Sequence, residues 1–289
     1  MTVLVIGATG NVGTCVVREL VARGADVRAF VREPRAAAHL GVPLVAGDLD
    51  DPGSLRAALA GVDRVFLTTS DGPAKVAQEC AAVDAAAAAG VGLIVKLSAM
   101  HASTESPLPV FAWHAAVEEH LQAGGVPAVV LQPAFFMSNL LEIAGGIATT
   151  DTVFAPSGGA KVAMVDVRDV GAVAAAVLAG SAAPSTEPIT ITGPEAITFD
   201  DVARAIGRAT GRPVRSVDLT PEEARPRFEN AAFPPWMREH LAGVFQLIRD
   251  GEFARTTDAV PRLTGRPGTT IDTFASDHAA VFAPRGRSE

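Results

Sequence analysis

Three sets of residues in this sequence are spaced for chemistry. The first is Gly7-Ala8-Thr9-Gly10-Asn11-Val12-Gly13, where a glycine recurs at every third position. That spacing suits a tight turn, a backbone that approaches a pyrophosphate, and a helix pressed against a strand, with the phosphates on the helix's first N–H groups. Gly7, Thr9, Gly10, Asn11, Val12 and Gly13 are therefore candidate dinucleotide ligands. The second set chooses the dinucleotide. Arg32 is placed to fork onto the 2′-phosphate of NADP, with Arg35 as a helper, whereas Glu33, 20 residues beyond Gly13, would accept from the ribose hydroxyls of NAD. A hydrogen bond to a charged group contributes roughly 1.5–3 kcal/mol, so one guanidinium biases the choice about tenfold to a hundredfold, and NADP is favoured over NAD. The third set is Ser98, His101, and His114 with Glu118 four residues on. A hydroxyl and imidazoles of this kind move protons near neutral pH, and a carboxylate at i+4 would orient His114.

These residues need elements to hold them. Apolar runs at 2–6, 27–31, 42–46, 64–68, 91–97 and 126–131 read as strands, with alanine-rich helices between most of them. A helix from Val12 to Arg23 follows the glycine loop, and further helices are expected over 54–60, N-capped by Ser54, and over 73–89. Asp48-Leu49 after the third strand is an adenine contact or simple turn chemistry; Thr68-Thr69-Ser70 after the fourth lies where backbone passes a cofactor, or is likewise a turn. The fold class is α/β: a Rossmann-type doubly wound parallel sheet with a smaller, mostly C-terminal substrate-binding cap. Residues 1–132 form the nucleotide-binding core and 133–289 complete the sheet and form the cap. Within the cap a helix is expected from about Asp169 to Leu178, a strand near Ile189–Thr192, and a helix over Phe199–Thr210 N-capped by Thr198. A Pro- and Arg-rich stretch follows, and Pro284 to Glu289 read as frayed.

Composition narrows the function classes. A formal charge of -8 over 289 residues argues against a nucleic-acid or anionic-membrane partner. No apolar run reaches the roughly 18 residues of a membrane span, so a soluble, cytoplasmic protein is expected, monomeric or homodimeric. Cys15 and Cys80 read as buried structural thiols, and His39, His120, His240 and His278 as surface or structural residues. No metal-ligand spacing is present.

Several segments together resemble the NmrA-like family of atypical short-chain dehydrogenases/reductases, related to NAD(P)H quinone reductases. They are Gly7 to Gly13, Val31-Arg32-Glu33-Pro34, Gly47-Asp48-Leu49, Lys96-Leu97-Ser98-Ala99, Leu131 to Asn139, Val165 to Val170 and Leu263 to Pro267. The resemblance implies that Pro133 and Phe135 lie close to the nicotinamide, that Ser98 stands where the family's serine does, and that His114 comes near the place of the superfamily's tyrosine. The chain departs from the tyrosine-dependent pattern, since it contains no tyrosine. It also has no lysine between 97 and 160, which counts against a lysine mechanism of the isoflavone-reductase kind. An acceptor that delocalises charge needs a weaker acid. The expectation is an NADPH-dependent reductase of a hydrophobic quinone-like or enone-like molecule, with Phe111, Trp113, Phe136, Met137, Phe154 and Trp236 lining its pocket, joined by Phe233 and Met237. Two alternatives stand beside it: a catalytically silent NAD(P) sensor that regulates a protein partner, and a tailoring reductase or isomerase of an aromatic or polyketide intermediate.

Overall fold

The structure, a computed structural model, describes residues 1–180, 183–230 and 233–284. In chain order its elements begin with β1 (Thr2–Ile6), α1 (Asn11–Ala22), β2 (Asp26–Val31), α2 (Pro34–Ala37), β3 (Leu44–Ala46), α3 (Pro52–Leu59), β4 (Arg64–Leu67), α4 (Lys75–Ala88), β5 (Leu93–Leu97), α5 (Pro109–Ala123) and β6 (Ala128–Pro133). They continue with α6 (Asn139–Glu142), α7 (Ala144–Thr150), β7 (Thr152–Ala155), α8 (Val167–Leu178), β8 (Ile189–Ile191), α9 (Phe199–Thr210), β9 (Arg215–Asp218), α10 (Pro221–Asn230), α11 (Pro235–Arg249), α12 (Ala259–Thr264), α13 (Ile271–Asp277) and α14 (Ala279–Phe282). Two compact units result. One comprises Met1–Pro133, Val167–Ile191 and Ala259–Arg266; the other comprises Ala134–Asp166, Thr192–Asp258 and Pro267–Glu289.

The first unit is built on a seven-stranded sheet of order β3-β2-β1-β4-β5-β6-β8, parallel at every pairing. The chain steps outward from β1 to β3, then returns to β4 on the other side of β1. This reversal is the expected doubly wound topology, and ligands of such sheets bind beyond the strand ends at the reversal. Because helices cover both faces, the central strands are apolar nearly throughout: Val3, Leu4, Val5, Val65, Phe66, Ile94 and Val95 are all buried. Helices α1 and α8 approach closely, since a Cβ on Gly171 would stand 2.5 Å from the Cβ of Cys15.

Three local expectations change. Cys15 and Cys80 are half-buried rather than enclosed, because each adjoins the buried stripe of its helix (Val16 on α1, Glu79 on α4) without occupying it. Helix α3 starts earlier than expected. Its N-cap is Asp51, whose Oδ1 accepts from Gly53 N at 2.8 Å, and Ser54 lies inside the first turn with its hydroxyl on the carbonyls of Asp48 and Asp51. The Pro- and Arg-rich stretch folds as two helices, α10 and α11, each opening on a proline, where the missing N–H costs nothing.

In the second unit β7 pairs in parallel with β9. The N-terminus of α9 carries a reciprocal capping box: Thr198 Oγ1 accepts from Asp201 N, and Asp201 Oδ2 accepts from Thr198 N. Phe245 of α11 is ringed by Phe135, Phe199 and Phe228, with centroids 6.3, 6.0 and 6.1 Å away. Beyond Pro284, the terminal residues read as frayed lie outside the described residues. Among the described residues no helix is long and apolar enough to cross a membrane.

Candidate active site

The glycine loop occupies the turn from β1 into α1, beside the end of β4. Gly7 has φ +81°, a left-handed conformation suited to glycine, and a Cβ there would stand 2.4 Å from Thr68 O. A Cβ on Gly13 would stand 2.1 Å from Gly7 O, so the helix's first turn rests directly on the turn below it. Gly10 differs: its Cβ would meet only Gly7 O, at 3.4 Å, and otherwise open space. Gly10 is also the N-cap of α1 and supplies no side-chain cap, so the amides of the first turn face outward at the positive end of the helix. Thr9, Gly10 and Asn11 are exposed at this mouth, Val12 and Gly13 are buried beneath it, and Thr14 Oγ1 pins the loop by donating to Ala8 O at 3.1 Å. These features fit a pyrophosphate: backbone approach at Gly10, anion-seeking amides, and no side chain between.

Most of the other expected nucleotide residues lie at or just after the ends of the parallel strands β2, β3, β4 and β6. Arg32, Glu33 and Arg35 are exposed after β2, with Glu33 at the N-cap of α2 and making no cap bond. Asp48 is spent on its own turn, its Oδ1 accepting from Asp50 N and its N–H donating to Ser54 Oγ. Leu49 is half-buried against the core. Thr68 backs Gly7, Ser70 is exposed, and Thr69 turns inward, donating from both N–H and Oγ1 to Glu79 Oε1 at 2.9 and 2.8 Å. Pro133 ends β6, where its carbonyl accepts from Met100 N at 3.0 Å.

That inward turn of Thr69 leads to a set of groups of which the sequence singled out only His114. Five ionisable side chains close a ring. Asp71 Oδ1 lies 3.3 Å from Lys75 Nζ, which lies 3.1 Å from Glu79 Oε1; Glu79 Oε2 lies 2.9 Å from Lys96 Nζ. Lys96 Nζ lies 3.1 Å from His114 Nδ1, and His114 Nε2 lies 3.7 Å from Asp71 Oδ1. Lys75, Glu79 and Lys96 are 1%, 0% and 0% exposed, so only Asp71 among the five meets water freely. Burial raises the Glu79 carboxyl, but Lys96 and Lys75 outweigh it and hold the group below the ordinary glutamate range. Burial presses the Lys96 ammonium below the ordinary lysine range, with Glu79 opposing. One signal pointed here: a lysine within the apolar run Leu93–Leu97 must find an acid, and Lys75 with Glu79 at i+4 supplied one.

His114 is buried on α5. Glu118, expected to orient it, accepts instead from Ser98 Oγ and from Gln132 Nε2, the latter at 3.1 and 3.3 Å to its two oxygens. Ser98 thus commits its hydroxyl proton to a carboxylate. His101 adopts φ +67° and sets its ring 6.2 Å from that of Phe111. Of the apolar candidates in the sheet unit, Phe111 is buried and Trp113 half-buried. In the other unit Phe135, Phe136 and Trp236 are half-buried, Met137 is buried, and Phe154 lies under the Arg227 guanidinium, 3.9 Å from the ring centroid.

A family model described as the NmrA-like family matches residues 1–281. The chain belongs to that family. This NmrA-like protein is 39% identical over 290 residues to a (4-alkanoyl-5-oxo-2,5-dihydrofuran-3-yl)methyl phosphate reductase of Streptomyces griseus, covering 98% of this chain and 99% of the relative. It is 36% identical over 283 residues to an NAD(P)H azoreductase of Xenophilus azovorans, covering 97% and 99%. Among solved structures it is similar to the NADPH complex of an NADPH-dependent quinone oxidoreductase of Escherichia coli, with a TM-score of 0.86, 25% identity, and coverage of 95% of this chain and 99% of that one.

Proposed function

We propose that this NmrA-like protein is an NADPH-dependent reductase whose acceptor is a hydrophobic, conjugated molecule of quinone or enone type. It is an NAD(P)H-dependent oxidoreductase, and NADP is its nucleotide. The observation that carries the reading is the glycine cradle, open at Gly10 and closed by backbone contact at Gly7 and Gly13, in a chain without tyrosine. When bound, the nicotinamide supplies hydride. The protein's share is to hold it and to manage the proton. The cradle and the α1 amides take the pyrophosphate, Arg32 and Arg35 take the 2′-phosphate, and the backbone of Thr68 to Ser70 and of Pro133, with Leu49 and Phe135, border the nucleotide. His114 is the proposed proton donor, with Ser98 and His101 as polar contacts of the acceptor. Phe111, Trp113, Phe136, Met137, Phe154 and Trp236 are its proposed apolar contacts.

The azo and oxo-dihydrofuran chemistry in the relatives' names supports a polarised unsaturated bond as the reducible group. Purified protein incubated with NADPH and a panel of quinones, enones, azo dyes and aldehydes should consume NADPH with the conjugated members. Tight NADPH binding with no turnover on any of them would overturn the reading in favour of a nucleotide sensor.

A further inference from the structure

We propose that Lys96 is a positioning and proton-relay residue acting through His114, so that the two together replace a phenolic acid. The inference rests on the reductase reading above. An ammonium has three N–H bonds and no lone pair. Lys96 Nζ hydrogen-bonds the Leu97 carbonyl and His114 Nδ1, the latter at 3.1 Å, and forms an ion pair with the Glu79 carboxylate at 2.9 Å. Nδ1 must therefore present its lone pair, and the neutral ring carries its hydrogen on Nε2. Nε2 points toward Asp71, in the loop that leaves β4 beside the glycine cradle. Around His114 stand Lys96 on β5 and Asp71 on the β4–α4 loop, with Lys75 and Glu79 of the ring on α4 behind them; Glu118, one turn along its own helix, is turned to Ser98 and to Gln132 on β6. The ring is not explained by stability. An apolar cluster of similar volume usually serves a core as well as a buried ion pair, or better.

Hydride reaches the acceptor with its electron pair and leaves an anion. The Nε2–H bond of His114 breaks as an O–H or C–H bond forms on that anion. An N–H bond of Lys96 breaks as Nδ1–H forms, leaving a neutral amine and a neutral imidazole of the opposite tautomer. A proton from bulk solvent, entering past the exposed Asp71, reaches Nε2, and Nδ1 returns its own to Lys96. No oxidant or reductant beyond the hydride source is required.

Two acceptors separate this relay from a merely structural lysine. A neutral enone needs hydride and a proton, whereas a cationic dye that takes hydride alone becomes neutral without one. Lys96→Met and His114→Phe should each lower kcat for the enone about a hundredfold more than for the dye, the scale of general acid catalysis. Equal losses for both acceptors, or no loss, overturn the relay. A wild-type protein that reduces neither acceptor overturns the reductase reading itself. Should Lys96→Met fail to fold, the wild-type protein still decides. Nitrogen-15 spectra of histidine-labelled protein, assigned with His114→Asn and recorded without nucleotide, should show His114 as the Nε2–H tautomer. An Nδ1–H tautomer there rejects the proposal without any turnover measurement.

Discussion

At the residue scale, nucleotide choice and the buried ring make separate claims. Arg32 is exposed and makes no contact that the fold needs, so Arg32→Ala should leave stability unchanged and weaken NADPH about tenfold to a hundredfold while sparing NADH. Isothermal titration with both nucleotides checks this, and equal losses would remove Arg32 from the 2′-phosphate. Glu79 is the reverse case, a fully buried anion held between two buried ammonium groups. Glu79→Gln should cost about 3–5 kcal/mol in urea unfolding, because it strands Lys75 and Lys96 without their shared counter-ion. The places of the glycine loop and of Ser98 could be read from the sequence because each follows a strand end, and that of His114 because it falls in a helical stretch. The ring was not. Its members come from a loop, a helix, a strand and a second helix, and nothing in linear spacing says that position 96 meets positions 79 and 114. The lysine-free window from 97 to 160 begins just after Lys96, whose Nζ the fold sets 3.1 Å from His114 Nδ1.

At the element scale, the β1–α1 turn and the N-terminus of α9 show what a local sequence does and does not tolerate. Gly10 has φ -78° and an almost open Cβ position, so Gly10→Ala should fold with a melting temperature close to wild type yet lose most of its NADPH affinity. Gly13→Ala drives a Cβ into Gly7 O and should lower stability and binding together; thermal melts run beside NADPH titrations distinguish the two variants. On α9, the bonds from Thr198 hold the Asp201 carboxyl at about 2, below its ordinary 3.8. A carboxyl depressed in the folded state stabilises fully above its unfolded value, so this contribution is present above about 3.8 and fades as pH falls toward about 2. Thr198→Ala should cost about 1 kcal/mol at neutral pH and progressively less in acid, measured by urea unfolding across that window. Strand and helix identities in the first 133 residues were legible because apolar runs and turn signals alternate cleanly. Helices α10 and α11 were hidden because prolines read as breakers, although Pro221 and Pro235 open them and, of the prolines in this stretch, Pro226 is the one that lies inside a helix.

At the scale of the whole molecule, the doubly wound class followed from the alternation of elements, whereas the sheet's last position did not. β8 is only three residues long, too short to announce its neighbour, and it pairs with β6 through Leu131↔Ile189 to Pro133↔Ile191. The first unit also takes α8 and α12 from far along the chain, so the polypeptide passes between units at 133/134, 166/167, 191/192, 258/259 and 266/267. A fragment ending at Pro133 lacks β8, the α8 face that packs on α1, and Arg266, which pairs with Glu19 at 2.9 Å. Such a fragment should show helical far-ultraviolet dichroism without a cooperative melt; a sharp transition near that of the full chain would refute its dependence on the later segments. The same threading has a consequence during synthesis. Once Pro133 has left the ribosome, the β6 edge waits for Ile189, 56 residues later, which at roughly 5–20 residues per second is about 3–11 s. For those seconds the nascent chain presents a row of unpaired backbone groups along an apolar strand. Chaperone occupancy on translating ribosomes should therefore rise after β6 emerges and fall once β8 has followed it.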